Sequence, residues 1–154
     1  MTCKRISCSI RLMADVFSPE KRSSIMSKVK GANTRPELLV RSILHRMGFR
    51  FRLHRKDLPG RPDIVLPRLR KVIFVHGCFW HGHEGCPRAA RPACNQEFWD
   101  RKLSGNLERD RRNMAELKAL GWDPLILWTC ETRDPKRVEE LLTRFLAPVD
   151  NSDG

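Results

Sequence analysis

Residues 72–86 read Val-Ile-Phe-Val-His-Gly-Cys-Phe-Trp-His-Gly-His-Glu-Gly-Cys and give the strongest structural signal in the chain. Four consecutive apolar residues, 72–75, are typical of a strand buried on both faces of a sheet. Histidine, glycine and cysteine follow at once, in a segment with too few apolar residues to hold its own shape. We therefore expect a central strand that ends in a polar loop carrying the chemistry.

Hydrophobic periodicity and capping residues predict the other elements. Helices are expected over residues 18–30, 34–47 and 98–120, and from Asp134-Pro135 to about 145. Strands are expected over 49–54, 63–66, 72–76 and 124–129, the first of which alternates apolar and basic residues. This order predicts an α/β fold with a mixed central sheet flanked by helices.

Length and composition fit one domain, which we place at residues 15–147 of the 154. We expect residues 1–14 to be a disordered leader or the product of an upstream start codon, and 148–154 to be a frayed tail. No apolar run approaches the roughly 18 residues of a membrane span, and no signal-peptide core follows the basic N-terminus. These features predict a cytoplasmic protein without a membrane partner.

The positive charge is concentrated in the first half of the chain. Residues 1–71 carry 18 Lys and Arg against 5 Asp and Glu, whereas residues 72–154 carry 12 against 13, which gives the net charge of +12. Localised positive charge on a soluble domain is typical of a protein that binds nucleic acid. The alternative is a solvated basic face that serves solubility alone.

The cysteines and histidines after the central strand have metal-ligand spacing. Cys78, His83 and Cys86 form a C-x4-H-x2-C pattern, and Cys130, after a later strand, or Cys94 would supply a fourth ligand. Three sulfurs and one ring nitrogen suit Zn²⁺, and four protein ligands indicate a structural site. The alternative is a set of buried thiols and surface histidines.

Two histidines and three carboxylates are candidates for catalysis. His76 and His81 remain outside the metal pattern, and a neutral imidazole is the usual general base for activating water. Asp63, after a basic turn, is the type of residue that holds Mg²⁺ against a phosphate. Glu37 and Asp110 are further candidates. The alternatives are structural histidines, a turn residue at 63 and solvated helix faces at 37 and 110.

Two aromatic pairs, Phe79-Trp80 and Phe98-Trp99, flank the same loop. Exposed aromatic residues beside basic surface can enter between base steps of a duplex. Packing in the core is the alternative, and we expect it for Phe98, Trp122 and Trp128.

Several motifs together resemble the very-short-patch (Vsr) DNA mismatch endonucleases, from about Asp15 to Phe145. They are Arg22-Ser23 with Met26-Ser27 and Val29, Gly60-Arg61-Pro62-Asp63, Val72 to His81 with its HGCFWH segment, Glu97-Phe98-Trp99, Asn106 with Glu108-Arg109-Asp110, and Gly121-Trp122. The resemblance implies a restriction-endonuclease-like fold. It also implies a Mg²⁺-dependent nick beside the T of a T:G mispair, which arises when 5-methylcytosine deaminates.

The resemblance also implies roles for individual residues. Asp63 and the Val75 main-chain carbonyl would hold Mg²⁺, although some members have threonine where this chain has Val75. His81 would act on the attacking water with Asp110 orienting it, His76 would contact the scissile phosphate region, and Glu37 would lie nearby. The structural zinc ligands would be Cys78, His83, Cys86 and Cys130, and the intercalating residues Phe79, Trp80 and Trp99.

The DNA partner implies further expectations. Phosphate contacts are expected from Arg22, Lys28, Arg50, Arg52 and Arg61, which would make binding salt-dependent. We expect a monomer associated with the bacterial nucleoid, with mismatch-repair machinery and a DNA polymerase acting downstream. Two rival hypotheses are a non-catalytic, zinc-braced DNA-binding module and a restriction-type endonuclease that cuts matched sites.

Overall fold

The computed structural model describes residues 18–27 and 31–148, so the expected leader, most of the expected tail and Lys28 lie outside the described residues. The helices within them are α1 (Pro19–Ser27), α2 (Arg35–Arg46), α3 (Gln96–Ala119) and α4 (Pro135–Leu146). The strands are β1 (Arg52–Leu53), β2 (Ile64–Leu66), β3 (Lys71–His76) and β4 (Asp123–Trp128). The predicted order of elements is confirmed. None of the described helices is long and apolar enough to cross a membrane.

The strands form a mixed sheet in the order β1-β2-β3-β4. β1 pairs antiparallel with β2, and β2 pairs antiparallel with β3. β3 and β4 run parallel, from Lys71 opposite Asp123 to His76 opposite Trp128. Parallel neighbours need a crossover connection, which α3 supplies. The carboxyl ends of β3 and β4 therefore lie side by side, and the polar loop residues follow them.

Helices cover both faces of the sheet. On one face, α2 and α4 pack on the strands in a core of Val40, Ile43, Leu44, Ile64, Leu66, Ile73, Leu127, Val138, Leu142 and Leu146. On the other face, a smaller core brings α3 against the sheet through Leu58, Val65, Val72, Phe74, Leu117 and Trp122. Because side chains alternate along a strand, His76 lies on the same face as Phe74 and so faces α3.

The first two strands are shorter than predicted. The strand expected over 49–54 is reduced to Arg52–Leu53, with both residues exposed, and β2 begins at Ile64 rather than at 63. β1 is an edge strand whose partner has three residues, and His54, with a φ of 46°, turns the chain away. Phe49 and Phe51 still pack against the larger core. The apolar residues of the predicted alternating pattern therefore contact the core even though they are not part of a strand.

The turn before β2 places residue 63 near the end of β3. Gly60 has a φ of 71°, a left-handed conformation that glycine adopts without strain. A Cβ at this position would lie 2.9 Å from Nδ2 of Asn113 on α3. The turn is therefore pressed against α3 at a point where only glycine fits, and the chain enters β2 from there.

Candidate active site and metal centre

Three cysteines and a histidine converge at the carboxyl edge of β3 and β4. Cys78 follows β3 and Cys130 follows β4, so the parallel pairing brings the two together. The loop after Cys78 curls back, with the His83 N–H donating to the Cys78 carbonyl at 2.9 Å. One ligand atom from each of Cys78, His83, Cys86 and Cys130 lies within 4.8 Å of the others. Cys94, the alternative fourth ligand, is outside this group.

The chemistry of this donor set fits a bound cation. Burial raises the pKa of the Cys78 thiol, but hydrogen bonds with Thr129 and His83 outweigh that effect, and the pKa falls to about 7. Partial burial and the neighbouring sulfurs of Cys78 and Cys86 raise the pKa of Cys130 to about 11. Sulfurs this close repel one another once they are ionised, and a positive ion between them removes that conflict. Three thiolates and one imidazole form a tetrahedral ligand set.

His76, His81 and Asp110 form a second group. His81 Nδ1 lies 2.6 Å from Asp110 Oδ2, and the His81 ring stacks on the His76 ring with 3.8 Å between centroids. Because a carboxylate only accepts, Nδ1 of His81 carries the proton of this hydrogen bond. Burial, with a contribution from His81, lowers the pKa of His76 to about 4, so His76 is neutral near pH 7. Asp110 is half-buried and engaged, unlike a residue on a solvated helix face.

Asp63 belongs to a third group, at the β2 side of β3. Its Oδ2 accepts a hydrogen bond from the Val75 N–H at 2.7 Å. Val75 lies two residues beyond Ile73, the last β3 residue that pairs with β2. Its Oδ1 lies 3.9 Å from His54 Nδ1. Burial raises the pKa of Asp63, the Val75 N–H opposes the rise, and the negative charge of Glu37 adds to it. Asp63 therefore does more than end a turn, because its side chain holds the end of β3.

Glu37 is 3% exposed, so the alternative of a solvated helix face is wrong. At the amino end of α2, the Thr34 hydroxyl donates to Oε1 and the Asn33 N–H donates to Oε2, each at 3.0 Å. Arg41, one turn later, donates to Oε2 at 2.9 Å. His54 Nε2 lies 3.7 Å from the same oxygen. Both carboxylate oxygens are engaged, so Glu37 orients its neighbours.

Sequence reasoning missed Arg41 and His54 in this group. Arg41 Nη2 lies 3.0 Å from His54 Nε2, and because a guanidinium only donates, Nε2 accepts and Nδ1 carries the proton toward Asp63. The spacing of four between Glu37 and Arg41 is an ion-pair spacing on a helix and was available as a signal. His54 could have been found as the end of a strand antiparallel to the one that follows Asp63.

Strand β3 joins the acid group to the histidine pair. Val75 binds Asp63 through its main-chain N–H, and the next residue, His76, stacks on His81. A cavity of about 680 Å³ opens on the α3 face beside the pair and is lined in part by His76, His81 and Asp110. The two groups of predicted catalytic residues therefore meet β3 at two consecutive residues, Val75 and His76.

Phe79, Trp80 and Trp99 form an aromatic cluster beside the loop. Their ring centroids are 5.1 to 6.1 Å apart, and all three side chains are half-buried. Phe98 is 58% exposed, so the prediction that it packs in the core is wrong. It lies in the first turn of α3, and the first buried residue of that helix is Leu103.

The basic residues expected on DNA phosphates are only partly described. Arg50, Arg52 and Arg61 are exposed, as a phosphate contact requires. The side chain of Arg22, on α1, and the whole of Lys28 lie outside the described part of the chain.

Comparison with known proteins identifies relatives of this chain. The family model of the DNA mismatch endonuclease Vsr matches residues 14–87, which include Asp63, His76 and His81. The type II nicking enzyme V.XorIIP of Xanthomonas oryzae pv. oryzae is 51% identical over 136 residues, 88% of this chain and 99% of its own. The DNA mismatch endonuclease Vsr of Escherichia coli is 43% identical over 135 residues, 87% of this chain and 86% of its own.

A further relative, the type II nicking enzyme V.NmeAIP of Neisseria meningitidis, is 39% identical over 140 residues, 91% of this chain and 99% of its own. Each of these three alignments covers at least 86% of both proteins. The chain belongs to the DNA mismatch endonuclease Vsr family.

Proposed function

We propose that the protein nicks duplex DNA beside the T of a T:G mispair, the product of 5-methylcytosine deamination. The observation that carries this proposal is the end of β3, where Val75 binds the Asp63 carboxylate and His76 stacks on the His81–Asp110 pair. A carboxylate for a metal ion and an imidazole for water are the two groups that such hydrolysis needs. The names of the relatives, mismatch endonuclease and nicking enzyme, support the reaction class.

Asp63 and the main-chain carbonyl of Val75 would hold Mg²⁺. Oδ1 of Asp63 makes no hydrogen bond with the described residues, and the carbonyl of a strand residue faces the same edge as its N–H. Bound Mg²⁺ would stabilise negative charge on the phosphate and make a coordinated water more acidic. Glu37 acts on this site through Arg41 and His54, which it holds beside Asp63.

His81 takes the proton of the attacking water. Asp110 accepts the Nδ1–H and so keeps Nε2 available as the base. As the water oxygen bonds to phosphorus, its proton moves to Nε2 and the bond from phosphorus to the leaving deoxyribose oxygen breaks. The leaving oxygen takes the bonding electron pair and a proton from solvent water. His76, neutral and packed on His81, would contact the scissile phosphate.

Cys78, His83, Cys86 and Cys130 would hold a structural Zn²⁺. Their four ligand atoms leave no position open for substrate, which is typical of structural sites. The ion would brace the loop over 77–95, a segment that carries His81 and part of the aromatic cluster.

Phe79, Trp80 and Trp99 would enter the base stack beside the mispair. A mispaired step unstacks more easily than a matched one, so the cost of deforming the duplex contributes to discrimination. The exposed Arg50, Arg52 and Arg61, together with Arg22 and Lys28, would contact phosphates and make binding fall steeply with salt.

The same proposal includes a restriction-endonuclease-like fold for the domain over residues 15–147. The mixed sheet with helices on both faces is consistent with it. The protein would act as a monomer, and mismatch-repair machinery with a DNA polymerase would complete the repair.

The proposal is tested with T:G and T:A duplexes of otherwise identical sequence, incubated with Mg²⁺ under single-turnover conditions. Wild type should nick the T:G duplex alone. Asp63→Ala should lower the rate on the order of 10³-fold, the factor that about 4 kcal/mol of charge stabilisation represents, and still bind the duplex. Asp57→Ala is the matched control, because that exposed carboxylate pairs only with its neighbour Arg55 in the described structure.

The other outcomes identify the rivals. No nicking by wild type, with tight binding and bound zinc, would favour the DNA-binding module. Equal nicking of both duplexes would favour a restriction-type endonuclease.

A further inference from the structure

A continuous series of ring contacts connects the metal centre to the histidine pair. The His83 ring is parallel to the Trp128 indole, with 4.2 Å between centroids and 4° between planes. Trp128 meets His76 edge-on, at 5.7 Å and 71°, and His76 stacks on His81 at 3.8 Å and 12°. Sequence analysis expected Trp128 in the core, but it is half-buried and outside both core clusters. Trp128 therefore lies between the rings of His83 and His76.

Main-chain hydrogen bonds fix the position of Trp128, whose indole contacts the rings of His83 and His76. Its N–H donates to Glu131 Oε2 at 2.9 Å, and the N–H of the next residue, Thr129, donates to the His76 carbonyl at 3.0 Å. Trp128 also lies directly opposite His76 in the parallel ladder. The indole is thus anchored to the same strand pair whose ends carry the metal centre.

His76 depends on this contact for its orientation. Its ring contacts in the described residues are Phe74 at 5.5 Å, His81 and Trp128, and its ring nitrogens make no hydrogen bond with the described part of the chain. A ring held by packing alone turns when one of its packing partners is removed. His81 would then lose the surface on which it stacks.

We propose that Trp128 is a positioning residue that fixes the plane of His76, and through it His81, and that it links this plane to the metal centre. The role in nicking rests on the proposed function, whereas the positioning itself does not. With an ion bound, the His83 ring is held against one face of the indole. The other end of the stack is the imidazole whose Nδ1–H is bound by Asp110.

The experiment compares Trp128→Leu and Trp128→Phe with the matched control Trp122→Leu. Trp122 is a buried tryptophan at the opposite end of the same sheet, where Arg70 lies 4.5 Å above its ring. Three quantities are measured on each protein: the zinc content, the ¹⁵N shifts of His81, and the single-turnover nicking rate with the affinity for T:G duplex. The ¹⁵N shifts report which ring nitrogen carries the proton.

Trp128→Leu should retain zinc and duplex affinity, lose the fixed Nδ1–H form of His81, and nick at least about tenfold more slowly. Trp128→Phe, which keeps an aromatic ring in the stack, should show a smaller change in the same direction. Trp122→Leu should lower stability but leave the His81 signals and the rate of the folded protein unchanged.

Two outcomes overturn the proposal. One is a Trp128→Leu protein, or Trp128→Phe if leucine prevents folding, whose His81 signals match those of wild type. The other is an equal change in Trp122→Leu, which would reduce the effect to general loss of stability. A wild type that nicks no T:G duplex refutes the proposed function instead, and the ¹⁵N shifts still decide the role of Trp128.

Discussion

At the amino end of the β3–β4 pair, Lys71 is buried and fully engaged, whereas at the carboxyl end His76 is buried with its ring nitrogens unengaged by the described residues. Lys71 Nζ donates to Asp123 Oδ2 at 3.0 Å and to the Phe145 carbonyl at 2.7 Å. The His76 ring nitrogens are not among the buried, unpaired side-chain atoms of the described residues, so water can reach them. The amino end therefore stabilises the fold, and the carboxyl end keeps bonding capacity for a substrate.

The largest expected effect concerns the zinc ion that we propose for the carboxyl end of the β3–β4 pair. Cys130→Ser should lose bound zinc and raise amide hydrogen exchange in the loop over 77–95, while exchange in the first half of β3 stays low. Metal binding contributes about 10 kcal/mol to folding of the smallest zinc domains. Here the cores on both faces persist without it, so we expect a local loss of order, with loss of nicking.

Cys94→Ser is the matched control, because Cys94 lies outside the group of four ligands. It should retain zinc and the exchange pattern of wild type. Equal zinc loss in both variants would contradict the ligand assignment.

The second prediction tests whether the carboxylates near the two ends of the β3–β4 pair have different roles, one in nicking and one in stability. Asp110→Asn should slow single-turnover nicking of a T:G duplex about 10²- to 10⁴-fold, because the amide no longer secures the Nδ1–H form of His81, the proposed base. Asp123→Asn, which removes a partner of Lys71, should leave the rate unchanged. Similar rates in the two variants would remove the distinction between the ends.

Sequence reasoning named residues that the structure brings together where the signal was local to the carboxyl end. The apolar run of β3 and the spacing of Cys78, His83 and Cys86 lie within one segment, and the family resemblance added Asp110 as the partner of His81. Cys130, far along the chain, could be included because a second strand was predicted to end there. The parallel pairing of β3 and β4 supplies the physical reason.

The contacts that could not be predicted join segments that are distant in the sequence and that only the fold brings together. His54 reaches Asp63 through a left-handed turn and the antiparallel register of β1 and β2. Lys71 is buried because the end of α4 brings the Phe145 carbonyl to it. Phe98 is exposed because the first turn of α3 precedes its first buried residue, which an apolar pattern alone does not reveal.

Lys71 itself provides the third test. Lys71→Ala should lower the free energy of unfolding by about 2–3 kcal/mol, because the Phe145 carbonyl loses its donor and the side-chain stem leaves a gap. The ion pair adds little to this figure, since the Asp123 side chain is 58% exposed. Urea unfolding measures the loss, and Lys71→Met, which keeps the stem, should recover part of it. A changed nicking rate in the folded Lys71→Ala protein would contradict a purely structural role.

The smallest effect is a dependence of stability on pH that arises from the lowered pKa of His76. The pKa of His76 is about 4 in the folded protein, against 6.5 for the free side chain. Below pH 6.5 the unfolded chain takes up a proton that the folded protein excludes until about pH 4. Stability that is complete above pH 6.5 is therefore lost as the pH falls, by about 2 kcal/mol between pH 7 and pH 5.

His76→Phe isolates this contribution, because phenylalanine keeps an aromatic ring in the stack and does not titrate. Urea unfolding of wild type and variant at pH 7, 6 and 5 gives two curves, and the metal ligands, which also titrate, affect both alike. The wild type should lose about 2 kcal/mol more than the variant over this range. Parallel curves would mean that the His76 ring is already accessible to protons in the folded protein. The contrast between an engaged amino end and an unengaged, buried carboxyl end would then lose its physical basis.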